Sequence, residues 1–253
     1  QSCGERGGVR CGHQPADACG SLLCLPLSVE GELLGVLHLR RDDSNEAVDG
    51  ALRQRAEVLG EVVKLGLSNL RLRDSLREQA LRDPLTGLPN RRLLDETLPR
   101  ELAGCLRHQQ PLTLAVIDVD HFKRINDRHG HAAGDRVLRA VAQALQNGIR
   151  ASDMACRYGG DEFVCLLPGM TAVDAANRFR QVLTRLAGDH VATNLPEETI
   201  TFTVGVASAP GAATDVVGLT RAADEALYVA KEKGRNCVEV APEVGAPLRL
   251  AQG

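Results

Sequence analysis

Gly159-Gly160-Asp161-Glu162-Phe163 is the stretch on which the reading of this chain turns. Met154-Ala155-Cys156-Arg157-Tyr158 precedes it and Val164-Cys165-Leu166-Leu167 follows, so two strand-like apolar runs meet at a Gly-Gly turn carrying adjacent carboxylates. That arrangement predicts a β-hairpin with a polar tip. The glycines let a bulky anionic ligand approach the backbone, and paired acids beside them suit a hard divalent cation that bridges to phosphate. Gly and Asp are also default turn residues, so the hairpin alone does not separate a ligand site from a solvated turn.

A second acidic strand end shifts the balance. Leu112-Thr113-Leu114-Ala115-Val116-Ile117 is a continuous apolar run with β-branched residues, which predicts a buried central strand, and it ends in Asp118-Val119-Asp120. On a strand Asp118 and Asp120 share one side while Val119 points to the other. A strand end and a hairpin tip donating carboxylates together would form an oxygen-rich pocket. Mg²⁺ on a nucleoside triphosphate takes about one or two carboxylates, with phosphate oxygens and water completing its octahedron.

Several further blocks carry a resemblance to a known family. Asp118-Val-Asp-His-Phe-Lys-Arg-Ile-Asn-Asp127, His129-Gly130-His131, Gly134-Asp135 and Arg157-Tyr-Gly-Gly-Asp-Glu-Phe163 closely resemble the GGDEF family of diguanylate cyclases. So do Asp83-Pro-Leu-Thr-Gly-Leu-Pro-Asn-Arg-Arg92 and Asp224-Glu-Ala-Leu-Tyr-Val-Ala-Lys-Glu-Lys-Gly-Arg-Asn236, and the series runs in family order over residues 83–241. The resemblance implies a ferredoxin-like core related to the class III nucleotidyl cyclases. It also implies condensation of two GTP into cyclic di-GMP with release of two pyrophosphates, Mg²⁺-dependent with Mn²⁺ as a substitute, in a homodimer inhibited by its product.

The family's site residues carry over position by position. Asp118 and Asp161 hold the metal, the Val119 carbonyl adds a ligand, and Glu162 assists at the metal or triphosphate. Asp161 is also the candidate for activating the 3′-hydroxyl, although a metal alone can lower that pKa. Asn126 and Asp135 offer the donor and acceptor set that guanine needs; as isolated residues they would read as a helix-end Asn and a helix N-cap. Gly159 and Gly160 line the substrate. Lys231, Arg235 and Lys123 meet the triphosphate and the charge that pyrophosphate departure creates, although cations near a helix end are favourable through the dipole in any case. His121 receives no catalytic role, and His129 and His131 are expected to shape the loop before Gly134. Arg150-Ala-Ser-Asp153, ahead of the hairpin, matches the family's RxxD inhibitory site, where Arg grips product phosphate or guanine and Asp accepts from guanine. Arg178 and Arg180 are both open as the arginine that completes it.

Two other readings stay open. One is a catalytically silent domain that senses GTP or cyclic di-GMP, against which the presence of Asp118, Asp161 and Glu162 together argues. The other is a cyclase making a 3′,5′-cyclic mononucleotide; Asn126 with Asp135 favours guanine, and the RxxD site favours the dinucleotide.

Composition agrees. The chain has 253 residues, 43% of them apolar, enough for one large or two modest domains, and its formal net charge of −3 argues against a nucleic-acid-coating surface. No run reaches the ~18 apolar residues of a membrane span and no signal-peptide pattern opens the sequence, so a cytoplasmic location is expected. Cys156, Cys165 and Cys237 fall in apolar strand candidates, as reduced buried thiols do. Cys3, Cys11, Cys19 and Cys24 with His13 lack a Cys-x-x-Cys knuckle, which argues against zinc.

The expected fold is α/β of the α+β kind, a mainly antiparallel sheet covered by helices and preceded by a long helix and a hairpin. Helices are predicted at 91–108, 121–129, 134–149, 171–187 and 215–233, and strands at 112–118, 154–167 as a hairpin, 199–208 and 236–240. Four regions follow: 1–45, a partial GAF-like sensory segment; 46–83, an amphipathic signalling and dimerisation helix; 84–242, the GGDEF domain; and 243–253, a tail. Residues 1–20 carry no apolar period. Residues 21–27 and 33–39 then predict two strands about a Glu30-Gly31 turn, a hairpin that resembles the last two strands of a GAF domain. In the helix, Leu52, Ala56, Leu59, Val63, Leu67, Leu70, Leu76 and Leu81 recur in steps of three and four. A helix of ~35 residues spans about 50 Å, so a partner chain is its natural cover, with folding back on its own hairpin as the alternative.

Overall fold

The computed structural model describes residues 21–29, 31–41, 50–187, 195 and 198–243. The chain divides into two compact units, residues 1–78 and 79–253.

In the first unit, β1 (Ser21–Val29) and β2 (Glu32–Arg41) pair antiparallel, with an irregularity at Leu27/Ser28. Helix α1 is described over Gly50–Leu81; residues 42–49, which include its expected start at Glu46, lie outside the described set. Part of α1 does fold back on its own hairpin: a Cβ at Gly60 would stand 3.6 Å from Leu27 and 3.8 Å from Leu25, and Leu27 and Ala56 are buried. Further along, Leu59, Leu65, Leu70, Leu72 and Leu76 remain exposed. Cys3, Cys11, Cys19 and His13, weighed above as zinc ligands, lie outside the described residues.

The second unit is built on β3 (Leu112–Val119), β4 (Met154–Gly159), β5 (Glu162–Pro168), β6 (Phe202–Ala209) and β7 (Val238–Val240). Their order is β4-β5-β3-β6-β7, antiparallel except for the parallel β6–β7 pair. Leu112–Ile117 are buried throughout, as a strand covered on both faces requires. On one face α3 (Phe122–His129), α4 (His131–Gly148) and α5 (Ala172–Ala187) bury Phe163, Phe179 and Phe202 with Ile117 and Val119. On the other, α2 (Arg91–Arg107) and α6 (Val216–Glu232) cover Leu112, Leu114, Val116, Val164 and Leu166. Gly205 of β6 makes this second packing close, because a Cβ there would collide with the Ala223 carbonyl and the Leu227 amide of α6.

Three expected boundaries of this unit move by two residues or more. The helix expected from Gly134 begins at His131, so Asp135 lies inside α4 and is not its N-cap. The strand expected from 199 begins at Phe202, and the one expected from 236 begins at Val238. Arg235 and Asn236 have left-handed backbones (φ 64° and 50°), which a strand cannot continue. Cys156 and Cys165 are buried free thiols on adjacent strands, whereas Cys237 precedes β7, half-buried, with its thiol 3.3 Å from the Ala230 carbonyl. Burial pushes Cys156 up to about 12 and Cys165 further still, so neither is a thiolate at neutral pH.

Candidate active site

The end of β3 places Asp118 opposite Glu162 of β5 and Thr203 of β6. Gly160-Asp161 forms the turn between β4 and β5, with Gly160 left-handed at φ 53° and the Val119 amide donating to the Asp161 carbonyl at 3.1 Å. No atom would lie within 4 Å of a Cβ at Gly159 or Gly160, so the backbone of this turn is open to an incoming group. Lys231, in the last turn of α6, sets its ammonium 2.8 Å from the Asp118 carboxylate. The sequence-predicted Asp118, Asp161, Glu162 and Lys231 are therefore brought together.

Electrostatics bear out the crowding. Burial, and then repulsion from Asp118, holds the Asp161 carboxyl above its ordinary range, against the pull of Lys231 and Arg157. Glu162 is raised by burial and by the charges of Asp118, Asp161 and Asp224. Asp224, one face of α6 below Lys231, is raised by burial alone. Among the described residues no three His, Cys, Asp or Glu side chains form a ready-made metal cage. An open site with repelling carboxylates fits Mg²⁺, which draws the rest of its shell from substrate phosphate and water. That Lys231 reaches Asp118 shows that positive charge is accommodated at this position.

Asn126 and Asp135 stand on neighbouring helices. The Asn126 amide oxygen is buried without a hydrogen-bond partner, and a Cβ at Gly134 would collide with it. Only glycine at 134 lets α4 lie against that amide, and an orphaned buried acceptor is costly unless a ligand donor reaches it. Asp135 is half-buried and Lys123 exposed on α3. Arg235 is exposed on the turn after α6, and its amide donates to the Ala230 carbonyl at 3.2 Å.

Asp120, two residues beyond Asp118, is bonded elsewhere. It is 5% exposed and accepts from the Thr201 and Thr203 hydroxyls at 2.7 and 2.6 Å. His129 ends α3, just before Gly130, and its imidazole lies 3.2 Å from Glu198, which also meets Arg128 at 2.9 Å and Arg124 at 3.6 Å. His131 is exposed at the start of α4, and His121 is left-handed at φ 56° ahead of α3.

Sequence reasoning missed the brace behind the turn. Arg157 donates to both Asp83 oxygens at 3.0 Å and, through Nε and Nη2, to the Gly160 carbonyl at 3.1 and 2.8 Å. Asp83 also accepts from the Thr86 amide and hydroxyl, and Asn90 caps α2 while its amide donates to the Ala80 carbonyl. Arg91 stacks over Tyr158 at 4.6 Å. The Asp83-Pro-Leu-Thr-Gly-Leu-Pro-Asn90 block was the available signal, but nothing in it says which distant residue it serves.

At Arg150-Ala-Ser-Asp153 the Asp153 carboxylate is covered and accepts from the Arg150 amide at 2.8 Å, while Arg150 itself is exposed. Arg178 of α5 approaches Asp153 to 3.8 Å, whereas Arg180 bonds Asn177 at 2.9 Å, so Arg178 is the arginine at this turn.

A mixed sheet with helices on both faces, and acids at the end of its central strand and at the adjoining hairpin, defines the nucleotidyl-cyclase class of α/β domain. The chain belongs to the family described as diguanylate cyclase, GGDEF domain, whose model matches residues 80–237. The diguanylate cyclase DgcP of Pseudomonas aeruginosa is 40% identical over 230 residues, 86% of this chain and 33% of that protein. DosC of Escherichia coli, also named a diguanylate cyclase, is 39% identical over 165 residues, 65% of this chain and 36% of that protein. The chain thus spans about a third of the length of these curated relatives. The crystal structure of the coiled coil and GGDEF domain of DgcB from Caulobacter crescentus in complex with c-di-GMP matches with TM-score 0.65 at 31% identity, covering 76% of this chain and 100% of that one. No helix among the described residues is long and apolar enough to cross a membrane.

Proposed function

We propose that this chain condenses two GTP into cyclic di-GMP and releases two pyrophosphates. The observation that carries the reading is the meeting of Asp118, Asp161 and Glu162 with Lys231 at the end of the central strand. The names of DgcP and DosC support it, as does the c-di-GMP complex of the DgcB domain.

Each half of the reaction joins the 3′-oxygen of one nucleotide to the α-phosphorus of the other, breaks the bond from that phosphorus to the bridging oxygen of pyrophosphate, and frees the 3′-hydroxyl proton. Asp118 and Asp161 would hold Mg²⁺, or Mn²⁺ in its place, with the Val119 carbonyl as a further ligand and Glu162 beside them. Bound there, the metal neutralises triphosphate charge and lowers the pKa of the attacking hydroxyl. Asp161, whose carboxyl is already raised, is placed to take the proton. The Asn126 amide oxygen and the Asp135 carboxylate orient guanine, while the open Gly159-Gly160 backbone admits the phosphates. Lys231, Arg235 and Lys123 receive the charge that develops on the departing pyrophosphate.

Two nucleotides must face each other, so the active species is a homodimer. The exposed leucines of α1 support pairing through that helix. Cyclic di-GMP bound at Arg150, Asp153 and Arg178 would hold the domains apart. The hairpin β1–β2 is proposed as the end of a GAF-like sensory segment, and the alignment with DgcP takes in more of the chain than the family domain contains. GTP as substrate favours a cytoplasmic location.

Chromatography of products formed from GTP and from ATP with Mg²⁺ tests the function. Cyclic di-GMP from GTP alone is expected. A 3′,5′-cyclic mononucleotide would overturn the reading, and binding of GTP or cyclic di-GMP with no product would make the domain a receptor.

A further inference from the structure

Three left-handed residues follow α6 in succession: Gly234, Arg235 and Asn236, with φ of 112°, 64° and 50°. Glycine takes this conformation freely and Asn tolerates it, but Arg does so rarely. Such a run persists only where surrounding structure fixes it. The Asn236 amide donates to Asp120 Oδ2 and to Thr203 Oγ1, both at 3.1 Å. Thr201 Oγ1 donates to the same Asp120 oxygen at 2.7 Å and Thr203 Oγ1 to the other at 2.6 Å. The Asp120 amide itself donates to the Thr201 carbonyl at 3.0 Å. Asp120 and Thr203, 5% and 0% exposed, thus form a knot that joins the end of β3, the start of β6 and the turn after α6.

That knot lies between two parts of the candidate active site. Two residues before Asp120 is Asp118, and one residue before Asn236 is Arg235; Lys231, whose ammonium reaches Asp118, precedes the same turn. The Asp120 carboxylate, 5% exposed, already accepts three hydrogen bonds inside the protein and is not open to substrate. Its effect passes through the backbone it holds.

We propose that Asp120 is a positioning residue: by gripping the Asn236 amide it fixes the turn after α6 and so aims Arg235 at the triphosphate. This rests on the cyclase reading above, since that reading supplies the triphosphate. Losing the grip should weaken binding in proportion to the phosphates contacted, while leaving the guanine contacts of Asn126 and Asp135 alone. A general loss of fold would weaken both.

Calorimetry on the full chain with Mg²⁺ separates the two, using GTP and GMP as probes. Asp120→Asn keeps one acceptor oxygen but replaces the other with an amide that cannot accept, and Thr203→Val removes the shared hydroxyl at nearly constant volume. Both are expected to bind GTP ~10-fold more weakly, the loss of a charge-assisted hydrogen bond, and GMP as the parent does. Thr203→Ser should restore GTP affinity. Arg235→Ala should show the same selective loss, and Asp120→Asn with Arg235→Ala together no more than either alone. Parallel losses for GTP and GMP, multiplying losses in the double variant, or parent-like GTP affinity in Asp120→Asn would each overturn the proposal. Failure of the parent itself to bind GTP would instead sink the cyclase reading. The grip is then decided separately by hydrogen exchange at the Asn236 amide, slow in the parent and fast in Asp120→Asn if Asp120 holds the turn, and equal in both if it does not.

Discussion

Asp161 occupies the turn between β4 and β5, outside both apolar clusters of the core, so its removal should leave the fold intact. Asp161→Ala is expected to abolish synthesis while circular dichroism and melting temperature stay near those of the parent; normal turnover by the folded variant would take this residue out of the mechanism. Asp118→Asn should lose metal-dependent turnover in the same way, and it also frees the Lys231 ammonium 2.8 Å away. Retained activity at ordinary Mg²⁺ would show the strand-end ligand to be misplaced. Gly134→Ala drives a methyl onto the Asn126 amide oxygen, so it should raise KM for GTP and narrow the preference for GTP over ATP, measured as a ratio of kcat/KM. An unchanged ratio would remove Asn126 from guanine recognition. Residues at strand ends and turns were readable because chemistry and local geometry coincide there: Asp118, Asp161 and Glu162 come together as expected. The bonds of Asp120 were not readable, because alternation on a strand says nothing about where the strand stops, and this one stops at Val119.

Elements are held to one another by contacts that sequence spacing cannot reveal. Arg157 and Asp83 lie 74 residues apart, and Arg128 and Glu198 lie 70 apart, yet each pair is bonded at about 3 Å. Arg157 joins the block before α2 to the carbonyl of Gly160, so it ties the start of the domain to the turn that carries Asp161. Burial alone would push the Asp83 carboxyl up, but hydrogen bonds from Thr86 and the Arg157 pair outweigh it and hold it below its usual value. A carboxylate depressed on folding stabilises the protein above its unfolded pKa, about 4, and that contribution disappears as pH falls through the lower folded value. Asp83→Asn should therefore melt several degrees below the parent at pH 7, and the gap should close as both are taken well below pH ~4. A gap that is constant across the titration would mean that the ionised carboxylate contributes nothing. Helix and strand positions in the family region were legible from periodicity. Their ends shifted by a few residues where tertiary bonds intervened, as at Asn236, whose amide is taken by Asp120 before a strand can begin.

At the scale of the whole molecule the proposed condensation calls for two chains, with one GTP held by each. Dilution should lower the rate per monomer, and a rate that stays flat while light scattering reports monomer throughout would sink the face-to-face mechanism. Charged substitutions at the exposed Leu59 and Leu70 should bring the fall to higher protein concentration if α1 supplies the seam. The proposed feedback by product belongs to the same scale, since cyclic di-GMP at Arg150 would act by holding domains where their GTP sites cannot meet. At this turn the Arg150 amide donates to the covered Asp153 carboxylate at 2.8 Å, Arg178 stands 3.8 Å from that carboxylate, and the Arg150 side chain is exposed. Removing a bidentate arginine contact to phosphate or guanine costs about 2 kcal/mol, a loss of roughly 30-fold in product affinity. Arg150→Ala should keep the parent's initial rate, because it leaves the carboxylates untouched, and continue producing after the parent stalls. Arg178→Ala should shift the inhibition curve in the same direction, whereas Arg180→Ala, whose arginine bonds Asn177 instead, should not. Titrating cyclic di-GMP against initial rate in all four proteins decides the matter: coincident curves would reduce Arg150-Ala-Ser-Asp153 to a solvated turn, and inhibition relieved by raising GTP would move product binding into the catalytic site.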